Sequence, residues 1–483
     1  MDREQQRIEE DLRGIVSGEV LCGAASRSLY ASDASVSEVW PLAVVRPRTT
    51  DDVAATVRWA AERQIPVHPR GAGSSVAGGS LGPGIVIDCG RFLRRILQTD
   101  GDEVRVQPGV VAAQLEEHLG RRTRSLGVDP ANSGVTTVGG MIGRNSSGSR
   151  FPRYGAMSGR MISARVVLAD GMILELAPTA PASAGPTSPG DDSGPAGMET
   201  DRLRQLASGV ATILTSSRDL IAAAQPATRG THGGYQLHDL LRTLDRDGLV
   251  DLPRLLCGAE GTLGIVSEAT LRTVPTDDAT AVGLFLFDSL DRAAEAALRL
   301  RPLSPDACDL FDKRHLTLAR SAKPTFDQLI PSVADAGLLV EFSGDGEQAA
   351  AARFDEAARR LQGQRPLCID VRRAENAAEK AMLWELSRSV VATLMLGFPD
   401  ATRDRRLAAL HGFPDQLQLE LSDGSRVTPG VDRGTATPEE RLPAVLALRY
   451  LIPGDRTIAA LVSNHAELPG RWAAPTAWQA WPS

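Results

Sequence analysis

At 483 residues the chain exceeds what one ordinary core holds, so two or more domains are expected. Apolar residues make up 42% and charged residues 23%, and the net charge of −7 gives no reason to expect nucleic acid or an anionic membrane as partner. No apolar run approaches the roughly 20 residues that span a bilayer, and Met1-Asp-Arg-Glu-Gln opens no signal peptide, so a cytoplasmic location is expected.

Residues 1 to about 20 read as an amphipathic helix with Ile8, Leu12 and Ile15 at helical spacing. Leu42 to Arg46 alternates as a short strand that Pro47 ends. Thr50 and Asp51 offer caps for a helix whose buried stripe is Val53, Val57 and Ala60-Ala61, and Ile65 to His68 reads as a second strand. That strand runs into Pro69-Arg70-Gly71-Ala72-Gly73-Ser74-Ser75 and more glycine up to Ser80. A dinucleotide fingerprint of the Rossmann type would open a helix here. Instead a Pro-Gly turn leads straight to the strand Gly84 to Cys89, which leaves no room for one. Consecutive N–H donors with the hydroxyls of Ser74 and Ser75 suit a diphosphate.

Val104 to Leu119 reads strand, Pro-Gly turn, helix. The stretch Asp129 to Gly155 is crowded with Gly, Ser, Thr and Asn. On composition alone it is as compatible with a surface loop as with a site. Its pattern favours a site: Val135, Val138, Met141 and Ile142 alternate with Gly139, Gly140 and Gly143, and Thr136, Thr137, Ser146 and Ser147 add short donors. A backbone-lined bed of this kind suits a large, planar, anionic cofactor. Ile162 to Leu176 is a strand pair around Asp170-Gly171. Pro178 to Gly197 is Pro, Ala, Ser, Gly and Thr with little to bury, and is expected to be a flexible, dispensable insertion. A helical segment from about Asp201 to Ala224 follows, and then Gly233-Gly234-Tyr235. The run Cys257 to Glu268 contains Glu260-Gly261-Thr262-Leu263-Gly264-Ile265, again suited to close backbone approach. From Ala281 the pattern becomes a smaller α/β unit: strand Val282 to Phe287, helix Ser289 to Leu300, strand Cys308 to Asp312, strand Leu338 to Phe342, helix 347 to 361. Beyond about Leu396 the periodicity is weak, apart from a helix near Glu439 to Tyr450. That tail fits a native partner-binding segment, a truncation or a frame shift alike. Five scattered cysteines without a C-x-x-C run encode neither a zinc site nor an iron–sulfur cluster, and no metal site is expected.

Three of these stretches carry a specific resemblance. Asp129-Pro130, Thr137 to Ile142, Asn145, Gly148 to Arg150 and Tyr154-Gly155 resemble the flavin-cradling segment of the FAD-linked oxidase family, with its vanillyl-alcohol-oxidase (PCMH) type of flavin domain. Pro69 to Ser75 resembles that family's pyrophosphate loop, and Cys257 to Glu268 its Gly-x-Glu-Gly-Thr-Leu-Gly-Ile motif. Leu29 to Ser35, Asp309-Leu-Phe-Asp312, Glu341 to Asp345 and Glu375 to Trp384 extend the likeness to the glycolate, D-lactate and D-2-hydroxyglutarate dehydrogenase branch.

The resemblance implies an α+β chain: an N-terminal helical segment (1–35), a two-subdomain PCMH-type FAD-binding domain (36–276), an α/β cap or substrate domain (277–395) and a divergent tail (396–483). It implies FAD held by Pro69 to Ser75, Asp129, Pro130, Thr136, Thr137, Gly139, Gly140, Asn145, Ser147, Gly148, Tyr154, Glu260, Gly261, Gly264 and main-chain atoms of Ile265. Ser74 stands where covalently flavinylated relatives have His, so FAD is expected to be non-covalent. Glu260 is expected to be a hydrogen-bonded structural group. The implied reaction is oxidation of a 2-hydroxy acid with hydride passing to flavin N5, the electron acceptor being open, with an iron–sulfur subunit as one candidate. The family's carboxylate-clamping Arg after Trp384 is replaced by Ser387, with Arg388 one place late as the substitute, and its histidine-rich motif is absent; Asn464-His465 is a poor stand-in. His232, His315 and His465 are expected to be structural or surface residues. An FAD-binding subunit or degenerate flavoprotein, inactive alone, is the alternative. A same-fold ether-lipid synthase or cell-wall reductase fits the entry and cap motifs less well.

Overall fold

The computed structural model describes residues 3–35, 37–182, 195–224, 234–276, 279–363 and 366–396, with two short strands at Leu419–Glu420 and Arg426–Val427. Three sheets organise it. The first has four strands in the order Glu19–Leu21, Ala43–Arg46, Ile85–Asp88, Val67–Arg70, the last three parallel. Parallel pairing needs a crossover, supplied by the helix Thr50–Glu62. Its cap is Thr49, not Thr50 or Asp51: the Thr49 hydroxyl accepts from the Asp52 N–H at 3.1 Å. The Arg3–Arg13 helix buries Ile8 and Leu12 against this sheet, whereas Ile15 is exposed beyond its end.

The second sheet is antiparallel, in the order Ile96–Asp100, Glu103–Val106, Ile265–Arg272, Met161–Val167, Ile173–Leu176. Its core takes in Val138, Met141 and Ile142 of the glycine-rich stretch. The Asp170-Gly171 turn closes the strand pair with Gly171 at φ +76°. Of the stretch expected to be an insertion, Pro178–Thr179 pairs with Val250–Asp251 and a helix begins at Pro195; residues 183–194 lie outside the described residues.

The third sheet, antiparallel in the order Ala307–Asp312, Ala336–Gly344, Ala279–Phe287, Asp370–Arg373, is covered on both faces. Phe285 and Phe287 point into a core with the helices Leu290–Leu300 and Glu347–Gln362. Leu284 and Leu286 point into another with Lys313–Ala322 and the first part of Ala377–Leu396. Burial on both sides is why the strand reads as one continuous apolar run. Among the described residues all five cysteines are free, and no helix is long and apolar enough to cross a membrane.

Candidate functional site

The carboxyl ends of the parallel strands Val67–Arg70 and Ile85–Asp88 face the start of the central strand Ile265–Arg272. Between them lies a cleft that opens to solvent. Pro69 to Ser75, Thr136, Thr137, Gly139, Gly140, Glu260, Gly261, Gly264 and Ile265 all line it. So do Gly79 and Ser80 of the same loop, Gly143 of the glycine-rich stretch, and Arg144, on which no expectation fell.

The glycines of the cleft divide into two kinds. A Cβ on Gly71 would lie 2.1 Å from the Thr137 hydroxyl, on Gly261 2.4 Å from the Pro69 ring, and on Gly139 2.7 Å from Pro108. These positions let one loop seat on the next. Gly261, at φ +81°, needs glycine for its backbone as well. At Gly140 a Cβ would meet only the Thr137 hydroxyl, at 3.3 Å; at Gly143 the nearest atom is 3.8 Å away, and at Gly79 3.5 Å. Here the missing side chains leave bare backbone facing the cleft. Within the expected bed, Val138–Gly143 forms a short helix capped by Thr137, whose hydroxyl accepts from the Gly140 N–H at 3.3 Å.

The glycine loop is held from beneath. Arg70 is buried, donating to the carbonyls of Tyr30 (3.2 Å) and Ser32 (2.8 Å) with its guanidinium 5.2 Å from the Tyr30 ring centre. Ser80 donates to Asp33 at 3.0 Å, and the Ala34 N–H to the Gly73 carbonyl. The segment Leu29 to Ser35 is therefore the loop's brace. Glu260 was expected to be hydrogen-bonded, but its side chain is exposed in the cleft, and its backbone is left-handed at φ +50°, fixed by its N–H to the Gly143 carbonyl at 2.8 Å.

Six expected cofactor residues, Asp129, Pro130, Asn145, Ser147, Gly148 and Tyr154, do not line the cleft. Asn145 is buried at φ +49° and accepts from the Ser158 N–H at 2.8 Å, which makes it a turn-former. Gly148 packs on Asp129, where a Cβ would come within 2.2 Å of the carboxylate. Gly127 packs on the Tyr154 ring. The segment that follows docks on the cap. Arg150 makes a two-pronged bond to Glu341 (2.5 and 2.9 Å) while lying 4.8 Å from the centre of the Trp384 ring, whose N–H donates to Glu341 at 3.2 Å. Arg153 pairs with Asp306 at 3.1 Å, and Ser149 donates to Asp309 at 2.5 Å. Burial opposes the charge of Arg150, but the Glu341 and Asp129 carboxylates more than offset it and raise its pKa. Burial pushes the Asp129 carboxyl up to about 6, outweighing the Arg150 guanidinium, held by Glu341 and 3.5 Å away, and the Arg150 N–H that donates to it at 3.1 Å.

Arg388, the candidate clamp, is exposed on the cap with its guanidinium 5.5 Å from the Trp384 ring centre, outside the cleft lining; Ser387 donates to Asp309 at 2.8 Å. His315 is structural: it stacks on Phe311 and its ring is bonded to the Leu386 carbonyl. His232, His465 and the helix expected near Glu439 lie outside the described residues. Among the described residues no cluster of metal-ligating side chains occurs.

Two family models match the chain: an FAD binding domain over residues 41–177, and the C-terminal domain of FAD linked oxidases over 276–404. The chain is 33% identical over 344 residues to a D-2-hydroxyglutarate dehydrogenase of Pantoea ananatis, spanning 68% of this chain and 32% of that one. It is 30% identical to the Escherichia coli enzyme of the same name, spanning 70% and 34%. It is 25% identical to glycolate oxidase subunit GlcD of Bacillus subtilis, spanning 77% and 65%. The chain thus spans about a third of the length of the first two. An alkyldihydroxyacetonephosphate synthase structure shares the fold, with a TM-score of 0.55 at 17% identity, over 82% of this chain and 66% of that one. The donor set fits FAD: the bare backbone at Gly79, Gly140 and Gly143 is a cradle that a side chain would fill, beside a loop rich in N–H donors.

Proposed function

The chain belongs to the FAD-linked oxidase family, with FAD as its cofactor, and from that premise we propose that it oxidises a 2-hydroxy acid of the D-lactate, glycolate or D-2-hydroxyglutarate class. The observation that carries this is the cleft itself, walled by backbone at Gly79, Gly140 and Gly143. The names of the relatives supply the substrate class. When bound, FAD supplies the two-electron acceptor. The chain's own share is positioning: Pro69 to Ser75 and Thr136 to Gly140 hold the cofactor, and the cap beyond Arg150 limits where a small acid can enter. Ser74, where covalent relatives have His, supports a non-covalent complex. Acid precipitation should therefore release all the yellow colour into the supernatant.

Arg388 is the candidate for the substrate carboxylate, as a two-pronged partner. Its place over Trp384, outside the cleft lining, favours a second reading: an FAD-binding subunit or degenerate flavoprotein that is inactive alone. GlcD is itself named as a subunit, and an iron–sulfur polypeptide would then serve as acceptor. Anaerobic titration of the purified chain with the three acids separates the readings. Loss of the flavin's visible absorbance with one of them supports the dehydrogenase. Bound flavin that none of them bleaches supports the subunit.

A further inference from the structure

We propose that Arg144 is the cation that reads the diphosphate of the dinucleotide, making the cleft selective for FAD over flavins without phosphate. This rests on the FAD reading above and adds to it a residue on which no earlier expectation fell.

Three donors converge on one neutral oxygen at the cleft wall. The Ser75 hydroxyl accepts from the Ala77 N–H at 3.3 Å, from the Gly79 N–H at 3.1 Å and from the Arg144 guanidinium at 2.6 Å. A hydroxyl oxygen has two lone pairs, so it is over-subscribed. Two backbone N–H groups and a guanidinium aimed at one point are far better served by an anion, to which charge-assisted bonds are about twice as strong. Ser75 can then turn and donate its own hydrogen.

Among the described residues two cations line the cleft, and they are not equivalent. Arg70 is buried under the loop and committed to the carbonyls of Tyr30 and Ser32. Arg144 is exposed, and Ser75 is its one side-chain partner among the described residues. Glu260 lines the same cleft but is not paired with it. Most of the five donors of this guanidinium are thus left for a ligand. The helix Val138–Gly143 fixes where the side chain starts, because Arg144 is its C-cap, with its N–H bonded to the Gly140 and Ile142 carbonyls.

The test is binding of FAD and of riboflavin to the full chain freed of flavin, followed by fluorescence, for the wild type, Arg144→Ala, Arg144→Lys and Ser75→Ala. Arg144→Ala should weaken FAD by roughly tenfold to a hundredfold, leave riboflavin within about twofold, and flatten the fall of FAD affinity with salt. Arg144→Lys should recover part of the loss, since it keeps the charge but not the fork. Ser75→Ala should cost less than Arg144→Ala. Unchanged FAD affinity in Arg144→Ala would overturn the assignment. So would equal losses for FAD and riboflavin, or an unaltered salt dependence, since these describe a brace for the loop. A wild-type chain that binds no FAD would instead remove the cofactor reading, and this assignment with it.

Discussion

The most consequential single residue outside the cleft is Glu341, 2% exposed and bonded to both Arg150 and the Trp384 indole. Removing it leaves the partly buried Arg150 guanidinium with Asp129 at 3.5 Å, at a cost of up to about 3–5 kcal/mol, the figure for a fully buried pair. Glu341→Ala should lose that much in denaturant unfolding, and Glu341→Gln, which keeps the shape and the acceptor, should lose less. Equal, small losses would make the pair a surface contact. Asp129 beside it sets a pH dependence. Its folded pKa of about 6 lies above the ordinary 3.8, so the folded chain binds this proton more tightly than the unfolded one. The stability it contributes is complete below about pH 4 and is lost as pH rises through about 6. Asp129→Asn does not titrate. Between about pH 4 and about pH 7 the variant should therefore gain on the wild type, on the order of 1–3 kcal/mol, and a pH-independent difference would leave the burial of this carboxyl without effect. Neither role was legible beforehand. Asp129 and Arg150 sit in a motif associated with the cofactor, and only the fold shows that Arg150 faces the cap. Arg144 did leave a trace, as the sole charge between Asp129 and Arg150.

Among the elements, the helix Val138–Gly143 is where composition misleads. Three glycines in six residues argue against a helix, yet burial of Val138, Met141 and Ile142 overrides propensity. Gly140 has no positive φ, and a Cβ there would meet only the Thr137 hydroxyl, at 3.3 Å, which must shift by a few tenths of an ångström. Gly140→Val should therefore fold with unchanged circular dichroism and lose FAD, while Gly140→Ala loses little. Full flavin in the Val variant would take this helix out of the cofactor site. Gly261→Ala should behave in the opposite way and cost stability first, because both φ +81° and the Pro69 ring oppose it. The strand Ala279–Phe287 was readable because both its faces are buried and apolar. The edge strands Ile96–Asp100 and Asp370–Arg373 were not, since the first is short and largely exposed, the second short and mostly charged, and neither alternates.

For the whole molecule, the three glycine-rich motifs in order anticipate the flavin domain, since each contributes to one cleft, and the α/β pattern from Ala281 with Asp309 to Asp312 and Glu341 to Asp345 anticipates the cap. The packing that holds the cap was invisible. Gly283 lacks a side chain because the Phe354 ring occupies its place, and Phe354 in turn stacks on Phe285 at 5.2 Å. Phe354→Ala should cost about 3–5 kcal/mol, confined to the cap core. Calorimetry should then show a transition below the main one, with flavin still bound between the two. A single transition shifted as a whole would mean that the cores melt as one unit.

Among the described residues, those lining the cleft all lie before position 267, so residues 1–276 hold the described walls of the cleft. They do not contain its rigidity. The turn from Ser149 to Arg153 starts five residues after Arg144, and its side chains are anchored on Asp309, Glu341 and Asp306 of the cap. Expressed alone, residues 1–276 should fold yet hold FAD more weakly than the full chain, though no contact with the cofactor has been cut away. A cofactor domain that can be transplanted between proteins must carry its own stiffness, and this one takes part of it from its neighbour. Portability, then, would end not at the covalent boundary near residue 276 but on the strand that carries Glu341.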